Sequence, residues 1–259
     1  MNRIFALCAL SLANLAQAFD GQPLRYEVDW GPVTLADVEM RLLDSDPVRS
    51  VNVSVASRGA GAWFNTFQSE LEILDMRDGT QLLNGTSRWD DGFSQISVSW
   101  LPDQVEPTVD YVRSKPRTYD ITPVPPESTW RTVDPFAPVF DVGKRLDATG
   151  RCEGEYRIFD GIRRYDLVIM DGGDTELQSE SVTGFSGLAH RCDIVVKRIG
   201  GFSTKRGFFR FGESDITRTL LFGQVGAHWI PVRFEIGTPL GTAVARLVGN
   251  ETSVAAQVQ

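Results

Sequence analysis

Residues 152–167 read CEGEYRIFDGIRRYDL, and their reading decides the fold. Asp160-Gly161 is a two-residue hairpin signal, because the favoured tight turn needs φ > 0 at both central positions and these residue types accept it. With that turn, Phe159 faces Ile162 and Tyr156 faces Tyr165. One face then collects Tyr156, Ile158, Tyr165 and Leu167. The other sets Arg157 diagonal to Asp166 and Glu155 diagonal to Arg164, within reach of long side chains. The segment is predicted to be an antiparallel hairpin with one apolar face.

The same period of two runs through the rest of the chain. It is clean in Leu24-Arg25-Tyr26-Glu27-Val28-Asp29-Trp30, in Val51-Asn52-Val53-Ser54-Val55, in Ile96-Ser97-Val98-Ser99-Trp100, in Val232-Arg233-Phe234-Glu235-Ile236 and over residues 243–248. Such alternation buries every second residue of a strand. Turn signals fall between these runs at Asp44-Ser45-Asp46-Pro47, Asp78-Gly79, Asp90-Asp91-Gly92 and Asp171-Gly172-Gly173. Strands at this spacing predict an all-β protein: a curved antiparallel meander forming a barrel, half-barrel or sandwich. Two segments depart from it and predict one or two short helices. Residues 59–67 (GAGAWFNTF) are apolar without alternation, a short helix or a cap over one end of the sheet. Residues 135–146 carry Phe136, Val139, Phe140 and Leu146 at roughly helical spacing, with a start near Pro138. The Pro-rich stretch 122–128 is read as a crossover within a single β-rich domain spanning residues 19–259.

Strand parity places both remaining cysteines. Cys152 shares the parity of Tyr156, and Cys192 that of Ile194 and Val196, so both thiols face inward and predict a buried bridge between neighbouring strands. The third, Cys8, lies in an apolar run, Ile4 to Leu15, that follows Arg3 and precedes the A-x-A box Ala16-Gln17-Ala18. That order is the pattern of a cleavable secretory signal, residues 1–18, and the run is shorter than the roughly 20 residues that span a bilayer. Export to an oxidising compartment and a disulfide are mutually consistent. No later stretch is apolar and long enough for a transmembrane helix. A formal charge of −8 argues against general nucleic-acid binding, which draws on a basic surface.

At the hairpin the chain resembles a known family. Cys152-x-Gly154, Phe159-Asp160-Gly161-x-Arg163-Arg164-Tyr165-Asp166-Leu167, the later Cys192, and Ile230-Pro231-Val232-Arg233 with Leu240-Gly241 are similar to the bacterial domain-of-unknown-function family numbered 3108. The likeness runs from Tyr26-x-Val28-x-Trp30 to about Leu247. It implies an exported, periplasmic envelope protein with a β-rich fold, and it supplies no activity or ligand.

Candidate chemistry is sparse. Residues 197–211 hold five cations, Lys197, Arg198, Lys205, Arg206 and Arg210, with four phenylalanines and no acid, in a chain that is acidic overall. Cations beside aromatic rings suit an anionic, partly apolar partner such as a lipid or another envelope component; a twisted hairpin with solvated arginines is the plainer reading. Zinc would need two ligands beyond the cysteines, and the only histidines are His190 and His228. Neither lies in a nucleophile motif, each reads as a surface or satisfied histidine, and no cofactor motif is present. Two functions follow: a non-catalytic binder of an apolar or amphipathic ligand or a partner protein, or a hydrolase of envelope polymers whose acidic pair comes from distant strands.

Overall fold

The structure, a computed structural model, describes residues 21–45, 48–64, 66–178, 184–204, 216–238 and 241–250. Thirteen strands are present among the described residues, and each alternating run falls in one of them. The first seven are β1 (Pro23–Trp30), β2 (Val33–Ser45), β3 (Val48–Ser57), β4 (Phe67–Asp75), β5 (Gln81–Trp89), β6 (Gly92–Trp100) and β7 (Thr108–Arg113). After the crossover come β8 (Gly154–Phe159), β9 (Arg164–Leu177), β10 (Gly187–Gly200), β11 (Arg218–Val225), β12 (His228–Thr238) and β13 (Gly241–Asn250). Helix α1 (Ala60–Phe64) caps the β3–β4 connection, and α2 (Ala137–Thr149) ends the crossover. The predicted signal segment, and Asp46 and Pro47 of the first turn signal, lie outside the described residues.

All the strands belong to one antiparallel sheet, ordered β7-β6-β5-β4-β3-β2-β1-β13-β12-β11-β10-β9-β8. Each half is a meander, and the first strand joins the last, with Tyr26 opposite Leu247 and Val28 opposite Ala245. The buried Tyr26 hydroxyl adds a second tie, donating 2.7 Å to the carbonyl of Pro231. Sheet twist and bulges roll this ribbon until its two ends approach. Phe159 of β8 packs with Val98 and Trp100 of β6, eleven places away in the strand order.

The roll is not closed by a ladder. The crossover stitches the seam instead. Val133 forms a parallel bridge with Ile158, its N–H donating to Arg157 O and its carbonyl accepting from Phe159. Arg131 N–H donates to Val105 O, and Trp100 Nε1 to Thr132 Oγ1. Arg131 is the one non-glycine at positive φ (53°) among the described residues, at the point where the strap bends from the β7 side toward β8.

Helix α2 then lies over one end of the roll, its Val142 and Leu146 buried against Ile169, Cys192 and Phe222. An ionic knot anchors its start. Arg49 sits 2.7 Å from Asp134 Oδ2 and 2.5 Å from Asp75, under the ring of Phe140. The other Asp134 oxygen accepts the N–H groups of Phe136 and Ala137, in the manner of a helix cap. Burial pushes the Asp134 carboxyl up, against the pull of Arg49.

Three expectations need correction. The hairpin is centred on Gly161-Ile162, not Asp160-Gly161, so Tyr156 faces Leu167, Ile158 faces Tyr165 and Arg157 lies directly across from Asp166. Only Gly161 has positive φ (86°) there, and the Asp160 carboxylate accepts the N–H groups of Ile162 and Arg163 at 3.0 and 2.6 Å. Asp160 thus closes the turn from its first corner. The slip is two residues, which preserves parity, so the apolar face survives unchanged. Secondly, Asp171-Gly172-Gly173 is no turn: β9 continues through it with a bulge opposite Arg191. Thirdly, Cys152 and Cys192 do form a disulfide (Cα–Cα 5.9 Å), but not between neighbours. It reaches from the residue before β8 to β10, across β9, where the bulge brings Asp171 beneath it to accept the Cys152 N–H.

Candidate functional site

Antiparallel pairing sends the ends of β5, β7 and β10 and the starts of β6 and β11 to the end of the roll away from α2. Helix α1 lies there too, with Trp63 87% exposed. The chain leaving β7 reads Arg113-Ser114-Lys115-Pro116-Arg117-Thr118-Tyr119, three cations in five residues between tyrosines. It lines an open groove of about 520 Å³ with Asp120 and Ile121. The cations stand on rings and carbonyls. The Arg113 guanidinium lies 4.3 Å over Trp89 and donates to Lys115 O. Arg117 lies 5.1 Å over Tyr111 and donates to its hydroxyl. Lys115 pairs with Asp91 at 2.6 Å, and this partner holds the Asp91 carboxyl below the usual carboxylate range.

The cationic stretch found in the sequence meets this segment. Ile121 and Ser203 form an antiparallel bridge, flanked by Thr122 N–H to Phe202 O (2.8 Å), Gly201 N–H to Thr122 O (2.8 Å) and Thr204 N–H to Asp120 O (3.0 Å). The backbones approach so closely that a Cβ on Gly200 would lie 2.3 Å from Pro123 O. Arg198 stacks 4.5 Å over the buried Phe202 and donates to Ser203 O. Lys197 does not join it and faces Glu155 at 3.2 Å. Lys205, Arg206 and Arg210 lie outside the described residues. The sequence reading missed Arg113, Lys115, Arg117 and Tyr119, although a charge scan of a net-acidic chain reveals them.

The histidines separate. His190 is buried and satisfied, Nε2 2.6 Å from Asp171 Oδ1 and Nδ1 2.7 Å from Asp174 Oδ1. The β9 bulge allows this, turning two acids of one strand toward a single ring. The contact with His190 holds the Asp171 carboxyl low. Cys152, Asp171 and His190 cluster closely enough to suggest a metal site. The Cys152 sulfur is spent in the disulfide, however, and the ring nitrogens are spent on carboxylates. No helix among the described residues is long and apolar enough to cross a membrane.

No family model matches the chain, and no curated protein matches it. A solved structure is similar: a beta-barrel-like protein of domain of unknown function DUF1849 from Brucella abortus, with a TM-score of 0.60 over 90% of this chain and 97% of that one. The likeness is one of fold. At 9% identity no residue role crosses between the two chains. The similar protein is itself a domain of unknown function, numbered 1849, and neither comparison supports the number 3108 expected from the hairpin residues. The rim presents arginines fixed on aromatic rings around an open groove.

Proposed function

We propose that this chain is an exported, non-catalytic envelope protein that binds anionic amphiphiles at the rim opposite α2. The Ile121–Ser203 bridge carries the reading, because it joins two cationic, aromatic segments about 80 residues apart into one surface. In a chain of net charge −8, Arg113, Lys115, Arg117 and Arg198 gather at one end of the roll, the end that also carries the exposed Trp63. Cations and tryptophan together suit the boundary between phosphate headgroups and acyl chains. The Ala16-Gln17-Ala18 box and the Cys152–Cys192 bridge support a periplasmic address. A hydrolase reading has less to stand on: the most buried acids, Asp134 and Asp29, face Arg49 and Arg246 and are used in holding the roll together.

Vesicle sedimentation tests this. The purified chain is expected to bind vesicles containing phosphatidylglycerol and to ignore pure phosphatidylcholine. Each cation at such a surface contributes about 1 kcal/mol, so the triple variant Arg113→Gln/Arg117→Gln/Arg198→Gln should bind about a hundredfold more weakly. Lys205→Gln/Arg206→Gln/Arg210→Gln tests the rest of the cationic stretch in the same way. Equal binding by the wild type and both triple variants would overturn the proposal.

A further inference from the structure

The end of the roll under α2 holds a second feature. A pocket of about 90 Å³ is walled by Leu24, Leu42, Val139, Phe140, Trp229 and Ile230. His228, the first residue of β12, also lines it. The Nε2 atom of His228 is buried and has no hydrogen-bond partner among the described residues. Its position follows from the fold: the short β11–β12 turn sets His228 opposite Val225, and α2 closes over it with the Gly143 backbone against the Trp229 carbonyl. Lys144, two-thirds exposed, marks the solvent side, where it pairs with Asp44 at 3.0 Å.

A buried polar atom is costly unless something bonds to it. We infer that this pocket is a binding site for a small neutral molecule with an apolar body and one hydroxyl, in the class of phenols and short branched alcohols. Three observations define that class. Most of the wall is aliphatic and aromatic, with Gln22 and three charged residues completing it, so the body is largely apolar. An engineered apolar cavity of about 150 Å³ takes up benzene; this pocket, at about 90 Å³ and open on its Lys144 side, encloses less than a whole ring, so the occupant is one ring at most with its far edge toward solvent. The charged groups lining the pocket are Asp44, Asp147 and Lys144, with Lys144 already paired to Asp44, so an anionic head is disfavoured. A hydroxyl both donates and accepts, and can therefore pair with Nε2 in either tautomer. The site is independent of the cationic rim, which lies at the other end.

The chain contains two histidines, so side-chain NMR of the intact, oxidised protein reads the site directly. Phenol, titrated to its solubility limit, is expected to shift the ring resonances of His228 and to leave those of His190 in place. His228→Phe should weaken phenol binding about tenfold, the value of one hydrogen bond, while benzene binds as well as before or better. Val139→Trp, which fills the pocket, should abolish both. If His228 resonances stay unmoved in the folded wild type, the nitrogen has only water for a partner and the inference fails. Equal weakening of phenol and benzene by His228→Phe would remove the hydroxyl from the ligand class and overturn it in that form.

Discussion

At Gly161 the backbone has φ +86°, and a Cβ would sit 2.4 Å from Ile96 Cδ1 and 2.6 Å from Val98 Cγ2. Two penalties coincide there, left-handed strain of about 1–2 kcal/mol and overpacking of about 1–3 kcal/mol. Gly150, the C-cap of α2, has φ +68° with open space around it, so only the strain applies. Urea denaturation should therefore place Gly161→Ala well below Gly150→Ala in stability, by about 1–3 kcal/mol; equal losses would mean that the hairpin tip does not seat on β6. Asp171 makes a prediction in pH. Contact with His190 lowers its carboxyl in the folded chain, so the stabilisation is present above the unfolded value, about 3.9, and is lost as pH falls through the lower folded value. Asp171→Asn should flatten the acid limb of stability below that pH, read as the urea midpoint against pH. These same positions show what sequence could resolve. Parity of the hairpin was readable because apolar residues alternate; its register was not. The slip turned on whether Asp160 occupies the turn's centre or closes it with its carboxylate, and the dipeptide Asp-Gly is compatible with both.

Among the elements, α2 depends most on remote groups. Its apolar residues and its start near Pro138 are local signals, and the helix begins at Ala137 as they suggest. What holds it in place is not local: Arg49 and Asp75 come from β3 and β4, and Tyr156 of β8 donates 2.5 Å to Asp141. Arg49 is held by two carboxylates, so Asp134→Ala leaves it paired with Asp75 while removing the helix cap, and should cost about 1–3 kcal/mol in chemical denaturation. Arg49→Met strands both Asp134 and Asp75 and should cost about 3–5 kcal/mol; Arg49→Met/Asp75→Asn/Asp134→Asn removes the stranded charges and should recover much of that loss. If the triple variant is no better than Arg49→Met, packing around the guanidinium outweighs its charge. The disulfide acts at the same end. Closing 40 residues of chain restricts the unfolded state by about 4 kcal/mol, and reduction should lower stability by that amount. Parity located both thiols on buried faces, but it could not say which strand lay between them, because the β9 bulge that aligns Asp171 under Cys152 reads in sequence as a turn.

For the whole molecule, the decisive pairing is the least local one. An antiparallel meander follows from alternation and turn chemistry, yet a meander read outward from its hairpins leaves barrel, half-barrel and sandwich equally open. The choice rests on β1 lying against β13 and on the crossover strap, and neither leaves a pattern within a short window. The rim was half visible for the same reason: each cationic segment can be read alone, but the Ile121–Ser203 bridge that unites them is a tertiary fact. The open seam has its own consequence for dynamics. The strands β7 and β8 both terminate the sheet, but they are treated differently. β8 is covered, its Phe159 N–H donating 3.1 Å to Val133 O, whereas β7 is paired on the β6 side and, among the described residues, has no second strand beside it in the sheet. β1 has partners on both sides. Amide exchange tracks local opening and unpaired edges. The amides of β7 that do not face β6 should exchange fastest among the strands, that of Phe159 far more slowly, and those of β1 near the rate of global unfolding. Protection of the outer β7 amides equal to that of β1 would show that the edge is paired in solution, and a dependence of that protection on protein concentration would identify the partner as a second copy adding its own edge strand.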